Sequence, residues 1–265
     1  MTDLVSEKLS LLREIEDSKS TDILRIWGLS GAGFALRIKD DIVFIDPWLV
    51  PPDPKRTTHR GFPIPFPPEQ VRKAKAVIST HEHEDHCNVA TVTGIVNSAG
   101  ARFIGPQSAV NKVTSGGLPQ SKTVTVSPGS LVEISPSMNI RIFESQDPYE
   151  PLAVMIMIET SRGNILHSGD TNYFPGFADI GSKFTVDVAL LNFGKQIPNP
   201  EKPYYMNASK ITMAARDLHA KILVPMHYNL WVELREDPNP IQDTLRSESP
   251  ETQLKIVEGG DLLEI

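Results

Sequence analysis

The sequence predicts an α/β protein built as a four-layer αββα sandwich. Two strand-rich halves, each followed by helical segments, carry that expectation. No repeat, low-complexity stretch or linker divides the chain. Its 265 residues suit one large α/β domain, read as residues 1–265, with a core that needs no disulfide staple.

Leu4, Val5, Leu9, Leu12 and Ile15 recur at helical spacing and predict an N-terminal helix over residues 3–16. From residue 22 the pattern becomes short strands, at Ile23–Leu29, Phe34–Ile38 and Ile42–Ile45. Gly31-Ala32-Gly33 sits at the first turn. A dinucleotide fingerprint needs a third glycine at 36 opening a helix; Leu36 and a strand stand there, so tight backbone packing is the reading. Residues 47–68 hold eight prolines, which remove backbone donors and break helix and sheet interiors. This is a stiffened loop, either the wall of a site or a surface excursion. A short helix at Glu69–Ala74, a strand at Ala76–Ser79, a histidine-rich turn and a helix at Val89–Ser98 follow. Short strands are expected at 102–104, 122–127, 131–134 and 139–144, then a hairpin of Leu152–Glu159 and Ile165–His167. A strand at Val186–Leu191, a helix at Ser209–Leu218 with Asn207 as its N-cap, and a strand at Ile222–Pro225 lead to a C-terminal hairpin around Gly259-Gly260.

Composition narrows the function classes. The net charge of −7 argues against broad nucleic-acid binding. The longest aliphatic run, Leu152–Ile158, is far below the roughly 20 residues of a membrane span. Met1-Thr2-Asp3 opens no secretory pattern, and the single cysteine, Cys87, excludes an intramolecular disulfide. The expectation is a cytoplasmic enzyme, with no membrane or nucleic-acid partner, that can form a homo-oligomer.

The chemistry concentrates in Thr80-His81-Glu82-His83-Glu84-Asp85-His86, directly after an apolar strand. Three imidazoles and an aspartate within six residues are the donor set of divalent metals such as zinc or manganese. In an extended segment residues 81, 83 and 85 share one side, and a bend at 85–86 turns His86 back towards it. Glu82 and Glu84 then face away. Cys87 reads as a small buried hydrophobe. Two later strands end in the same chemistry: Ser168-Gly169-Asp170-Thr171, which is also good turn chemistry, and Pro225-Met226-His227.

H-x-H-x-D-H, then S-G-D-T, then a strand-end histidine resembles the metallo-β-lactamase superfamily along almost the whole chain. The flanking segments Val43-Phe44-Ile45-Asp46-Pro47-Trp48, Ala76–His81, Gly163–Asp170, Leu191–Gly194 and Val224–Trp231 resemble its L-ascorbate-6-phosphate lactonase branch. The resemblance implies the αββα fold and one or two divalent metals per chain. His81 and His83 would hold the first metal, Asp85, His86 and His227 the second, and Asp170 would bridge them. Asp85 and Asp170 would be the catalytic acids. One departure stands out. The superfamily usually supplies a third histidine to the first metal, and Cys87 to Leu166 contains none. His167 lies too close to Asp170 to serve. Without a replacement the first site is the weaker one. The nearest acids are Glu144, Asp147 and Glu150; Asp147 is the candidate replacement, and turn chemistry in Gln146-Asp147-Pro148 is the competing reading.

The implied activity is metal-dependent hydrolysis of a lactone of a sugar acid or sugar phosphate through a metal-bound hydroxide. No G-x-S-x-G elbow competes with it. A phosphodiesterase or nuclease and a non-catalytic metal-binding module are the alternatives. Two divalent ions set against Asp85, Asp170 and a hydroxide leave one positive charge, which favours an anionic small-molecule substrate. Arg56, His59, Arg60, Lys195, Lys202 and Lys210 are the cations available to clamp a phosphate, and each also reads as an ordinary solvated side chain.

Overall fold

The computed structural model describes residues 2–55, 57–195 and 205–265. Helix α1 (Thr2–Asp17) precedes a meander of β1 (Arg25–Ser30), β2 (Gly33–Ile38) and β3 (Asp41–Ile45). Then come β4 (Ala76–Ile78), α2 (Val89–Ala99), β5 (Arg102–Gly105), α3 (Gln107–Ser115) and β6 (Thr123–Thr125). The second half repeats the plan. A meander of β7 (Leu131–Ser135), β8 (Met138–Glu144), β9 (Val154–Thr160) and β10 (Gly163–His167) opens it. It continues through α4 (Gly176–Lys183), β11 (Val188–Asn192), α5 (Ala208–Asp217), β12 (Ile222–Met226), α6 (Pro240–Glu248), β13 (Gln253–Leu254) and β14 (Leu262–Glu264).

The strands form two seven-stranded sheets, ordered β14-β1-β2-β3-β4-β5-β6 and β13-β12-β11-β10-β9-β8-β7. Each is antiparallel through its meander and parallel beyond it, from β3 to β6 and from β10 to β13. Side-chain alternation builds the layers. Phe34, Leu36 and Ile38 of β2 and Val154, Ile156 and Ile158 of β9 meet in the core between the sheets. Ala35 of β2 faces the opposite way, towards Leu12 and Ile15 of α1 and Val92 and Ile95 of α2. Met155 and Met157 of β9 pack on Phe177 of α4, Ala214 of α5 and Ile241 of α6. A strand covered on both faces is apolar at every position, which accounts for the run from Val154 to Ile158. The four layers are the αββα sandwich that the sequence predicts.

Three local expectations are corrected. The helix expected at Glu69–Ala74 is one 3-10 turn, Pro68–Gln70. The backbone N–H groups of Arg72 and Lys73 donate instead to the Glu16 carboxylate of α1, so the helix ladder is not continued. The C-terminal hairpin does not form: β13 pairs with β12 in one sheet and β14 with β1 in the other. The turn at Gly259-Gly260 carries the chain across the sandwich. Helices α3, α4 and α6 escaped the sequence reading. They have 9, 8 and 9 residues, and α4 and α6 each bury only two apolar side chains, too few to show a period. Among the described residues no helix is long and apolar enough to cross a membrane.

Candidate metal centre

Parallel strands bring their carboxyl ends to one edge, where open α/β sheets place their sites. Here the ends of β3, β4, β10, β11 and β12 contribute Asp46, Ser79–His86, Ser168–Asp170, Asn192 and His227.

The histidine-rich segment is a turn, not the extended piece the sequence reading assumed. The N–H groups of His86 and Cys87 both donate to the carbonyl of His83, at 3.1 and 2.7 Å. That turn divides the donors. His81 and His83 join Asp147 and Asp170 in one group of donor atoms, all within 4.8 Å of one another. Asp85 and His86 join His227 in a second group of the same tightness. His81 Nε2 and His83 Nδ1 lie 3.0 Å apart, and His86 Nε2 and His227 Nε2 lie 3.2 Å apart. Two nitrogens on a tetrahedral ion with Zn–N bonds of 2.0–2.1 Å stand roughly 3.3 Å apart, so both pairs have the spacing of metal ligands. Asp170 lies between the groups. Its Oδ1 is 3.5 Å from His86 Nε2 and 3.6 Å from His227 Nε2, and it is buried without a hydrogen-bond partner. A buried carboxylate oxygen is costly unless a cation or donor meets it. The donor set therefore fits divalent ions.

The electrostatics show the same demand for positive charge. Burial opposes ionisation of the Asp85 and Asp170 carboxyls, but the imidazoles of His86 and His227 outweigh it and hold both well below the usual carboxylate range. Burial likewise works to neutralise His86, yet Asp170, Asp46 and Asp85 raise its pKa well above 6.5. Burial and neighbouring His86 push His81 down to about 3. Burial and the charge of Asp170 raise Asp147, against the N–H groups of Tyr149 and Glu150.

Asp147 is placed where both of its expected readings meet. Its Oδ1 accepts from Tyr149 N–H at 2.7 Å and Glu150 N–H at 3.1 Å, the turn foreseen after Gln146. The same carboxyl stands with His81, His83 and Asp170. The loop that carries it is held to the site by Ser145 Oγ, which donates to Asp170 O, and by Gln146 N–H, which donates to Thr171 Oγ1, both at 2.9 Å. With Asp147 counted, each group holds two imidazoles and one carboxylate besides the shared Asp170. The place of the missing histidine is thus within reach of a carboxylate.

Asp46 is the residue that sequence reasoning missed. It is fully buried. Its Oδ1 accepts from Thr80 N–H at 2.8 Å, and its Oδ2 accepts from Thr80 Oγ1 at 2.6 Å and lies 2.7 Å from His86 Nδ1. A proton held on Nδ1 leaves His86 Nε2 free as a donor. Asp46 and His227 both take positive φ, +45° and +75°, a conformation that bulky L-residues hold only when surrounding structure enforces it. Gly169 has φ +56°, and a Cβ there would stand 2.8 Å from Thr80 Cβ. The glycine lets Asp170 approach the turn that Thr80 organises. Tyr205 packs against the His227 ring, centroids 4.8 Å apart and planes inclined by 39°.

Other candidates are placed elsewhere. His167 Nε2 donates to Ala32 O at 2.8 Å and its Nδ1 accepts from Gly169 N–H at 3.1 Å, so both ring nitrogens are committed. Cys87 is buried among the residues beneath α2 and α3, its thiol pushed up to about 11 by burial. The Arg60 guanidinium donates to Val50 O and Trp48 O and stacks on the Trp48 and Phe62 rings. His59 pairs with Glu233 in solvent. Lys195 is exposed, and Lys210 lies in the first turn of α5, where its N–H donates to the N-cap Asn207. Arg56 and Lys202 fall outside the described residues. The Pro-rich loop packs through Trp48 and Phe62 on Leu230 and Trp231, just after His227. Gly61 N–H donates to Leu230 O, and Val232 N–H to His59 O. Beside Asp147 a cavity of about 530 Å³ opens between the end of β6 and the loop joining β8 to β9.

Comparison with known proteins agrees with this architecture. Residues 42–228 match the beta-lactamase superfamily domain. The probable L-ascorbate-6-phosphate lactonase UlaG of Salmonella paratyphi B is 27% identical over 69% of this chain. This chain spans only 57% of that relative's length. Igni18, a metallo hydrolase from Ignicoccus hospitalis, superposes with a TM-score of 0.73 at 22% identity, covering 92% of this chain and 98% of its own. An isothiocyanate hydrolase from Delia radicum gut bacteria gives 0.74 at 15% identity, with 90% and 98% covered. A match across residues 42–228, on a fold of two mixed sheets with paired donor groups at their edge, makes this chain a member of the metallo-β-lactamase superfamily, on the UlaG-like branch.

Proposed function

We propose that this protein is a metal-dependent hydrolase that opens a lactone of a sugar acid or sugar phosphate. The observation that carries the reading is the buried Oδ1 of Asp170, without a hydrogen bond, between two groups of nitrogen and carboxylate donors. His81, His83 and Asp147 would hold one divalent ion, Asp85, His86 and His227 the other, and Asp170 both. A divalent ion held there supplies Lewis acidity, which lowers the pKa of water from 15.7 towards about 7 in the case of zinc and polarises a carbonyl. The similarity to a lactonase supports the substrate class.

The chain's own residues account for the rest. Asp46 fixes the His86 ring through Nδ1 and removes one rotational freedom from the site. Asp85 Oδ2 lies 3.2 Å from His227 Nε2, within reach of a water proton, and is the group we assign to orient the attacking water. The water oxygen adds to the lactone carbonyl carbon and gives up a proton, the acyl C–O bond breaks, and the departing ring oxygen takes up that proton to leave as a hydroxyl. The product is a hydroxy acid. The Pro-rich loop, stiff through its prolines, walls the His227 side.

The test is hydrolysis of sugar lactones, phosphorylated and not, beside generic phosphodiesters, with chelated and Mn- or Zn-restored protein. Lactone turnover that vanishes on chelation and returns with metal is the expected result. Turnover of a phosphodiester with every lactone untouched would reject the substrate class.

A further inference from the structure

The cavity beside Asp147 touches the donor groups through that one residue. Its polar lining includes Glu144, Asp147, Ser127, Ser145, Gln107 and Gln146, and apolar side chains lie between them. Among the described residues no lysine, arginine or histidine lines it. Glu144 Oε1 accepts from Gln146 Nε2 at 3.0 Å, so an exposed carboxylate is held at its rim. Hydroxyls, carboxamides and carboxylates suit the alternating donors and acceptors of a polyol. To a phosphate they offer no cation, and the Glu144 and Asp147 carboxylates repel it. The charge of the centre points the same way. Asp147 in the donor set adds a third carboxylate and cancels the single positive charge that two divalent ions, two aspartates and a hydroxide leave. His59 and Arg60, offered by the sequence as phosphate clamps, are engaged by Glu233 and by the Trp48 and Val50 carbonyls.

We infer that the cavity lined by Glu144 and Asp147 receives the hydroxylated, uncharged end of the substrate, so that the protein selects lactones without a phosphate. This rests on the lactonase reading and narrows it. It also departs from the phosphorylated substrate named for the similar UlaG protein.

The probes are a hydroxylated γ-lactam, which has the shape of a five-membered sugar lactone and resists opening, and the same lactam as its terminal phosphate ester. Calorimetry on metal-loaded protein reads binding without turnover. The uncharged lactam should bind at least about tenfold tighter, since like charges a few ångströms apart in a partly dry cavity repel by that much or more. Glu144→Lys and, separately, Ser127→Lys place an ammonium at the exposed rim, and each should strengthen binding of the phosphorylated lactam by about tenfold. Tighter binding of the phosphate ester by the unaltered protein, or no binding of either lactam, overturns the inference, as does indifference of both lysine variants. Hydrolysis, measured in parallel, judges the lactonase reading alone. Lactone turnover with a preference for the phosphate ester removes only the charge selectivity. Uncharged-lactam binding without any lactone turnover removes only the lactonase assignment.

Discussion

Asp46 and His86 form a fully buried pair, Oδ2 to Nδ1 at 2.7 Å, that joins the end of β3 to the turn after β4. The carboxylate is itself held by both polar groups of Thr80. Removing such a supporting carboxylate costs about 10–100-fold in metal affinity in comparable sites. We expect Asp46→Ala to weaken metal binding within that range and Asp46→Asn, which keeps an acceptor oxygen, to weaken it less. Competition with a chromophoric chelator measures both. Unaltered affinity in Asp46→Ala would show that the pair does not orient the ring.

His86→Ala and His227→Ala each remove an imidazole from the same donor group. Both should lose metal and hydrolysis together. Their melting temperatures should fall in metal-containing buffer, because bound metal stabilises only the native state, and should approach the parent's in chelator. Full metal content and normal turnover in His227→Ala would take that residue out of the centre.

With Asp147 beside His81 and His83, both donor groups hold two imidazoles and a carboxylate besides Asp170, and we expect two nearly equivalent metal sites in place of the inequality that a missing histidine implies. A metal titration of the parent should show two sites of comparable affinity. Asp147→Ala should leave one of them unchanged and weaken the other. Its Asx turn is also lost, so a small drop in stability is expected as well, separable by repeating the melt in chelator. Two strong sites in the variant would reduce Asp147 to a turn residue.

Arg60 tests the wall of the site. Its two hydrogen bonds to the Trp48 and Val50 carbonyls and its stacking on two rings pin the Pro-rich loop. Arg60→Ala should cost about 2 kcal/mol of unfolding free energy, the scale of charged hydrogen bonds plus stacking, and raise KM without changing metal content. Lysine should not rescue it, because an ammonium cannot reproduce the planar fork. Chemical denaturation and steady-state kinetics report the two effects. Parent-like stability and KM would reduce the loop to a surface excursion.

Acid sensitivity has a source far from the metal centre. Asp41 of β3 accepts from Ser135 Oγ at 2.5 Å and from Ser137 Oγ, and so ties the first sheet to the β7–β8 turn of the second. Burial works to raise its pKa, but the two hydroxyls and the Lys75 ammonium outweigh it and hold the group below 3.8. A carboxyl lowered on folding stabilises the native state at every pH above its unfolded value. That contribution fades as pH falls below 3.8 through the folded value. Asp41→Asn should therefore cost about 1–2 kcal/mol at pH 6 and progressively less below pH 3.8. Melting curves at the two ends of that range measure it, and an equal loss at both ends would contradict the assignment.

What the sequence determined by itself is local. Short apolar runs bounded by turn residues specified most strands of the two buried sheets, because a strand covered on both faces is apolar at nearly every position. The histidine-rich turn after an apolar strand specified the chemistry, because few residue types serve as metal donors. Short helices such as α4 and α6 left no legible period, and the Glu69–Ala74 segment was decided by Glu16, more than fifty positions earlier in the chain. The tertiary structure alone decided how the donors are shared. A turn closed on the His83 carbonyl separates residues 81 and 83 from 85 and 86. His227 arrives beside His86 from 141 residues away. The fold also chose Asp147 over a histidine, set Asp46 behind His86 and drew Arg60 away from the solvent role that its sequence position allowed. These outcomes depend on which strand ends the sandwich brings to one edge, and contacts across that edge have no period along the chain.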